Sequence, residues 1–90
     1  MGFQETFKAL SDPTRRHILE ILKPGRMTAG EIVAAFDVTG ATISRHLSVL
    51  KHAGLVNDFK VGKYIYYELN TSVVEEAMQW LTNIIGKDGD

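Results

Sequence analysis

The sequence predicts a mainly α-helical fold of five helices, with one two-stranded antiparallel hairpin between the fourth helix and the fifth. Three observations favour this fold class. Apolar residues recur at helical spacing in five segments, capping and turn residues separate these segments, and an aromatic and β-branched stretch follows the fourth. Ninety residues, 44% of them hydrophobic, can bury one modest core, so residues 1–90 are expected to form a single domain.

The first two helices are predicted on either side of a proline. Phe3, Phe7 and Leu10 lie at i, i+4 and i+7, which indicates one apolar stripe of a short helix. Asp12 can cap a second helix with Pro13 at its first position, where the missing N–H costs nothing. The buried side of this second helix is expected to consist of Ile18, Leu19, Ile21 and Leu22.

The third and fourth helices are predicted across a tight turn. Thr28 and Glu31 have the spacing of a capping box at the start of the third helix, which would bury Ile32, Val33 and Phe36. After a polar break at residues 37–40, helical spacing resumes. The inward positions of the fourth helix are Ile43, Leu47 and Leu50, and Gly54 can adopt the left-handed conformation that ends it.

Residues 55–59 and 63–69 are predicted to be the strands of the hairpin, with Val61 and Gly62 between them. The favoured two-residue turns need positive φ at their first position, which Val61 resists, so the register stays open. Ser72 and Glu75 again have the spacing of a capping box, which predicts a last helix reaching about Ile85. The residues after Ile85 are expected to fray.

The last helix is apolar over an arc wider than one buried stripe requires. Together with the first helix it could form a two-fold interface, whereas the alternative is a terminal helix buried wholly in its own core. We expect the dimer rather than this alternative. The expected interface residues are Phe3, Phe7, Val74, Met78, Leu81 and Ile85.

Charge is distributed unevenly, although the net charge is only -1. Residues 38–56 include no Asp or Glu, and their basic and imidazole side chains are Arg45, His46, Lys51 and His52. Beyond Glu68 the charged residues are Glu75, Glu76, Asp88 and Asp90 against Lys87 alone. One face is therefore suited to a polyanion, and the C-terminal end is expected to turn away from it.

Several function classes are disfavoured by the residues that the sequence lacks. The absence of cysteine removes disulfides and thiolate metal ligands, and together with the absence of a signal-like or membrane-spanning segment it predicts a soluble cytoplasmic protein. His17 and His52 are far apart in the chain and no ligand set stands out around them, so no metal site or cofactor is expected. No spacing indicates a nucleophile with its base or a phosphate-binding loop, so an enzyme is not expected.

The third and fourth helices have the arrangement of a helix-turn-helix unit, whose second helix would lie in the major groove. Ala41 and Ser44 would allow close approach, and Arg45 could bridge the O6 and N7 atoms of guanine. Any amphipathic surface helix can carry such residues, so the composition alone does not decide. His46 lies beside the buried stripe, where an internal hydrogen bond and a phosphate contact are equally compatible with its position. Lys60 and Lys63 near the hairpin tip could reach the DNA backbone or serve only solubility.

Three segments carry a resemblance to the arsenic-repressor (ArsR) family of bacterial regulators. They are residues 7–19 (FKALSDPTRRHIL), 43–56 (ISRHLSVLKHAGLV) and 62–70 (GKYIYYELN), in the family's order and separation. The compact length is similar to that of the sporulation-delay autorepressor subgroup. The resemblance implies a winged helix-turn-helix homodimer, paired through its first and last helices, that represses transcription from inverted-repeat operators. The DNA-facing positions implied are Thr39, Thr42, Ser44, Arg45, His46, Lys60 and Lys63.

The sequence departs from the metal-sensing members that it resembles. The third-helix stretch at residues 31–37, which carries cysteines in many members, has no thiol here, and residues 72–85 have no histidine. Metal regulation is therefore not expected, and the inducer could be a protein, a small molecule or nothing beyond repressor concentration. The alternative function is a winged-helix module that binds proteins without specific DNA binding, which the net charge of -1 and the apolar last helix would favour.

Overall fold

The computed structural model describes residues 3–86 and contains five helices and a three-stranded antiparallel sheet of order β1-β3-β2. The elements are α1 (Gln4–Leu10), α2 (Pro13–Ile21), β1 (Met27–Thr28), α3 (Ala29–Ala34), α4 (Gly40–His52), β2 (Val56–Val61), β3 (Tyr64–Leu69) and α5 (Thr71–Ile84). The predicted fold class is confirmed, and β1 is an addition to it. The fraying expected at residues 87–90 lies outside the described part. None of the described helices has the length and apolar character that crossing a membrane requires.

Two of the predicted helix caps form as the sequence indicated. The Asp12 carboxylate accepts a hydrogen bond from the backbone N–H of Arg15 at 3.0 Å, and Pro13 occupies the first helical position. Thr28 and Glu31 make both bonds of the capping box, at 2.8 and 3.1 Å. Each cap satisfies backbone donors that the first turn of a helix leaves free. The starts of α2 and α3 are therefore fixed by their own sequence.

The predicted capping box at the start of α5 is wrong. The N-cap is Asn70, which makes no side-chain cap hydrogen bond, and Ser72 already lies within the first helical turn. The backbone N–H of Asn70 donates to the Leu55 carbonyl at 2.9 Å, directly after Leu69 pairs with Val56. The sheet therefore holds the chain up to Asn70, and the helix begins immediately afterwards at Thr71, one residue before the serine.

The hairpin turn is shifted by one residue from the prediction. Val61 pairs with Tyr64, so the two turn residues are Gly62 and Lys63 rather than Val61 and Gly62. Gly62 has φ +61°, and no non-glycine residue in the described range has a positive φ. This combination is typical of a type II′ turn, whose first central position favours glycine. The β-branched Val61 stays in the strand, and β2 extends to it instead of ending at Phe59.

The sequence did not predict β1, because two residues are too few to show the alternation of apolar and polar positions that is typical of a strand. Met27 pairs with Tyr67 and Thr28 pairs with Tyr66, which adds β1 to the free edge of β3. The pairing connects the start of α3 to the sheet. The helix-turn-helix unit and the hairpin therefore share one framework.

The core lies where α1 to α4 meet the base of the hairpin. Its members are Ala9, Ile18, Leu22, Ile32, Ile43, Leu47, Leu50, Leu55 and Val56. The predicted inward residues Leu19, Ile21, Val33 and Phe36 are only partly buried and pack against this cluster. In α1 the buried residues are Thr6 and Ala9, whereas Phe3, Phe7 and Leu10 are partly exposed. The aromatic stripe of α1 therefore faces away from the core.

Candidate nucleic-acid interface

Helix α4 presents an uncharged-to-basic side outward because its opposite side is anchored in the core. Ile43, Leu47 and Leu50 are all buried and fix both the rotation and the depth of the helix. The residues on the other side are exposed as the helical wheel predicted, namely Ala41, Thr42, Ser44, Arg45 and Ser48. A guanidinium surrounded by small and hydroxyl side chains can enter a groove and donate two hydrogen bonds to guanine.

The start of α4 is held by a pair of threonines. The backbone N–H of Thr42 donates to Thr39 Oγ1 at 3.1 Å, and the two hydroxyl oxygens lie 2.9 Å apart. The first turn carries no acidic residue. Free backbone N–H groups and the helix dipole make such an end favourable for an anion. Thr39 and Thr42 therefore lie at the end of the helix best suited to a DNA phosphate.

His46 makes the internal contact of the two that the sequence left open. Its side chain is only 16% exposed, and Nδ1 lies 3.3 Å from Arg15 Nη1 and 3.9 Å from Asp12 Oδ2. The backbone N–H of Arg15 holds the pKa of Asp12 below its usual value, the charge of Arg15 lowers it further, and desolvation opposes both. A carboxylate, a guanidinium and an imidazole thus meet behind the exposed face of α4.

We call the whole hairpin of β2 and β3 the wing. Lys60 and Lys63 both lie at its tip. Both side chains are exposed, Lys60 opposite Ile65 in the ladder and Lys63 in the turn itself. The Lys63 ammonium is 5.9 Å from the centre of the Tyr64 ring. Two cations at the end of a narrow ribbon can reach a phosphate backbone next to a helix in the major groove.

The three tyrosines of β3 do not form one surface for stacking on bases. Tyr66 stacks on Phe59 with ring centres 5.8 Å apart, and the Arg26 guanidinium lies 4.5 Å from the Tyr66 ring centre. Tyr67 points to the other face of the sheet and packs against the core, where burial raises the pKa of its phenol. Two of the three rings are therefore already occupied within the fold.

A salt bridge that the sequence did not reveal joins α4 to the wing. Lys51 Nζ lies 3.0 Å from Asp58 Oδ2, which connects the last turn of α4 to β2. An exposed pair of this kind contributes at most about 1 kcal/mol to stability. The salt bridge matters for geometry, because it places β2 next to the last turn of α4, the helix that also carries Arg45.

The candidate dimer residues surround an apolar surface formed by α1 and α5. Within the protomer, Phe3 and Phe7 pack on Trp80, with ring centres 5.9 and 5.6 Å from the indole. Met78, Leu81 and Ile85 are 61%, 47% and 66% exposed, and Ala77 is the residue of α5 that is buried. A groove between α1, α2 and α5 includes Val74, Met78 and Leu81 in its lining. The alternative of a last helix buried in its own core is therefore wrong.

Among residues 3–86, no three His, Asp or Glu side chains come together as a metal-binding group. His17 packs edge-on against Phe36 with ring centres 5.0 Å apart. His52 Nε2 lies 3.5 Å from Glu5 Oε1 on an exposed surface.

Known proteins resemble this chain in both sequence and structure. A family model described as a helix-turn-helix domain matches residues 10–58. The transcriptional repressor SdpR of Bacillus subtilis is 49% identical over 81 residues, which cover 90% of each protein. A solved structure of an ArsR-like transcriptional regulator from Rhodococcus superposes with a TM-score of 0.84 at 32% identity, covering 91% of this chain and 77% of that one. The chain belongs to the ArsR family of DNA-binding transcriptional repressors.

Other ArsR-family proteins agree with this assignment. The arsenic resistance regulator ArsR1 of Pseudomonas putida is 37% identical over 76 residues, which are 83% of this chain and 56% of that protein. The resemblance drawn from the three sequence segments is therefore confirmed, and so is its winged helix-turn-helix fold. The helix-turn-helix match ends at Asp58, within β2, so the rest of the hairpin and α5 lie beyond the part that this family model covers.

Proposed function

We propose that this chain is a sequence-specific repressor that acts as a homodimer on inverted-repeat operator DNA. The observation that carries the proposal is the exposed, acid-free side of α4 around Arg45, held in place by three buried residues in a protein of a DNA-binding family. A polyanionic duplex is the ligand that suits such a side. The core draws on α1 to α4 and β2 as one cluster, which supports a single domain over residues 1–90.

Each predicted contact residue has a distinct role in this proposal. Arg45 recognises a guanine in the major groove, and Ser44 allows α4 to approach the base edges closely. Thr39 and Thr42 donate to a phosphate at the start of α4. The lysines of the wing, Lys60 and Lys63, neutralise phosphates independently of sequence.

The homodimer forms through the apolar surface of α1 and α5. Met78, Leu81 and Ile85 are large, exposed apolar side chains at helical spacing on α5, and an apolar patch of this kind is typical of an interaction surface. A two-fold axis at this surface lets the same residues cover each other and leaves both α4 helices free. Two half-sites about one helical turn apart are then occupied together.

Regulation in this proposal does not depend on a metal ion. The chain has no cysteine, and the sequence of α5 contains no histidine, so the ligands of thiolate and imidazole metal sensors are missing from these helices. Repressor concentration, a protein or a small molecule remains as the controlling signal.

The experiment begins with selection of bound fragments from the genome of the source organism, followed by titration of the enriched duplex. Arg45→Ala is expected to weaken specific binding by about 1–3 kcal/mol, the value of a good bidentate base contact. Lys63→Ala should weaken binding to all sequences alike and flatten the salt dependence. Arg16→Ala is the control for lost charge, because Arg16 lies on α2, where its Nη1 donates to the Leu10 carbonyl at 2.7 Å, and not on the exposed side of α4.

Two results would contradict the proposal. If Arg45→Ala bound the enriched duplex as tightly as Arg16→Ala, α4 would not be the element that recognises the sequence. If the parent bound every duplex equally weakly in fluorescence anisotropy at two salt concentrations, the protein-interaction module would be favoured instead. The exposed apolar surface of α5 is the observation that supports that second candidate.

A further inference from the structure

Arg15, on α2, links the end of α1 to the recognition helix α4. Its Nε donates to the Ala9 carbonyl at 2.8 Å, and its Nη2 donates to the Lys8 carbonyl at 3.3 Å. Its Nη1 lies 3.3 Å from Nδ1 of His46, a residue of α4 that is 31 positions away in the chain. One guanidinium thus holds two carbonyls of α1 and one ring nitrogen of α4.

The contact with Arg15 determines which nitrogen of His46 carries the proton. A guanidinium has only N–H donors, so Nδ1 must accept this hydrogen bond and cannot carry a proton. The neutral imidazole then has its proton on Nε2. Asp12 Oδ2, which would favour a proton on Nδ1, is 3.9 Å away and already accepts from the backbone N–H of Arg15. The internal bond therefore fixes the tautomer.

The other nitrogen of His46 faces water. In the described part of the chain, every buried side-chain nitrogen or oxygen has a hydrogen-bond partner, and no partner is found there for His46 Nε2. A fully buried Nε2 would therefore be an unpaired buried nitrogen, and none is found among residues 3–86, so Nε2 keeps contact with solvent. An N–H donor is therefore presented directly after Arg45 on α4, at the edge of the exposed side.

We propose that Arg15 is a positioning residue for DNA binding, which holds His46 as the Nε2–H tautomer so that this N–H donates to a DNA phosphate. The proposal rests on the proposed function and resolves the two interpretations of His46 into one. Nδ1 of His46 bonds to Arg15 within the fold, while Nε2 donates to the DNA. Arg15 itself lies behind α4 and acts on the DNA only through His46.

The first test measures the tautomer in the free, full-length protein by long-range ¹⁵N NMR at about pH 8.5, where an ordinary imidazole is neutral. The parent is expected to show His46 protonated on Nε2. Arg15→Met removes the donor and should give a mixture of both tautomers. Arg16→Met is the matched control, because Arg16 Nη1 donates to the Leu10 carbonyl at 2.7 Å and its recorded hydrogen bonds include none to α4. A parent protonated on Nδ1, or an Arg15→Met spectrum equal to the parent's, overturns the proposal.

The second test measures affinity for a duplex that the parent protein selects from a random-sequence pool. Arg15→Met should bind about tenfold more weakly than Arg16→Met, as expected for one lost hydrogen bond to a charged group. The two variants lose the same charge, so the general attraction to DNA changes equally. Equal affinities overturn the positioning role.

A substitution pair at His46 keeps the test decisive if Arg15→Met unfolds. His46→Gln places an amide donor near the former Nε2, whereas the shorter His46→Asn places its amide near the former Nδ1 and leaves no donor near the former Nε2. The Gln variant should bind close to the parent and the Asn variant about tenfold more weakly. Equal binding by both overturns the proposal. If the parent selects no duplex at all, the proposed function fails, and the tautomer measurement still shows separately whether Arg15 fixes His46.

Discussion

Thr39 has two roles at one position, because it caps α4 and lies where a phosphate is expected. Its hydroxyl accepts the hydrogen bond from the Thr42 backbone N–H that the first turn requires. An aspartate cap would stabilise the helix equally well, but it would place a negative charge against the DNA backbone. The two roles can therefore be separated by charge alone.

We predict that Thr39→Asp and Thr39→Asn unfold within about 1 kcal/mol of the parent, because both are good N-cap residues. Thr39→Asp should bind the operator at least about tenfold more weakly than Thr39→Asn, since a like charge opposes the phosphate. Urea unfolding and fluorescence anisotropy measure the two effects. Equal affinities of the Asp and Asn variants would show that no phosphate lies near Thr39.

At the scale of elements, replacing a glycine by alanine should have opposite effects on stability in the wing and in α3. Gly62 occupies the turn with φ +61°, a conformation in which a β-carbon is strained although no atom lies within 4 Å of it. Gly30 lies in α3 without a left-handed backbone, and a β-carbon there would also meet nothing within 4 Å. The same substitution thus tests backbone conformation without a change in packing.

Gly62→Ala should lower the free energy of unfolding by about 1 kcal/mol, because alanine resists the left-handed turn. Gly30→Ala should raise it by about 0.4–1 kcal/mol, because alanine favours a helix and restricts the unfolded chain. Urea titration of both variants against the parent gives the two signs. A stabilised Gly62→Ala variant would contradict the type II′ turn and the wing geometry that follows from it.

The whole molecule is elongated, with extents of 47 × 24 × 23 Å, and α5 leaves much of its apolar arc outside the core. Phe3 and Phe7 pack on one side of Trp80, and Met78, Leu81 and Ile85 stay exposed. Burying a carboxylate at such a surface is costly because its charge would lose water without gaining a partner. A carboxylate introduced at position 81 should therefore be costly if a second protomer covers α5, and tolerated if this surface stays in water.

Leu81→Glu is expected to convert a dimer into a monomer and to abolish simultaneous binding of two half-sites. Gln79→Glu adds the same charge on the same helix at an exposed site, where Gln79 bonds only to Asn83 at 3.0 Å, and should leave the dimer intact. Sedimentation velocity at micromolar concentration measures both variants. A monomeric parent, or a dimeric Leu81→Glu variant, would refute the proposed interface.

The sequence alone determined the features that neighbouring residues decide among themselves. Asp12 and Thr28 begin their helices, and the spacing of Ile43, Leu47 and Leu50 exposes Arg45 on the opposite side. These interactions join residues within one or two helical turns, so their geometry follows from residue type and spacing.

Only the tertiary structure decided which distant segments meet. The pairing of Met27 with Tyr67 created β1, the Leu55 carbonyl fixed Asn70 as the start of α5, and Arg15 fixed the inner nitrogen of His46. Each of these contacts joins residues at least 15 positions apart, and many other residues could have taken their places. The choice among them depends on how all the helices pack together, which spacing along the chain does not encode.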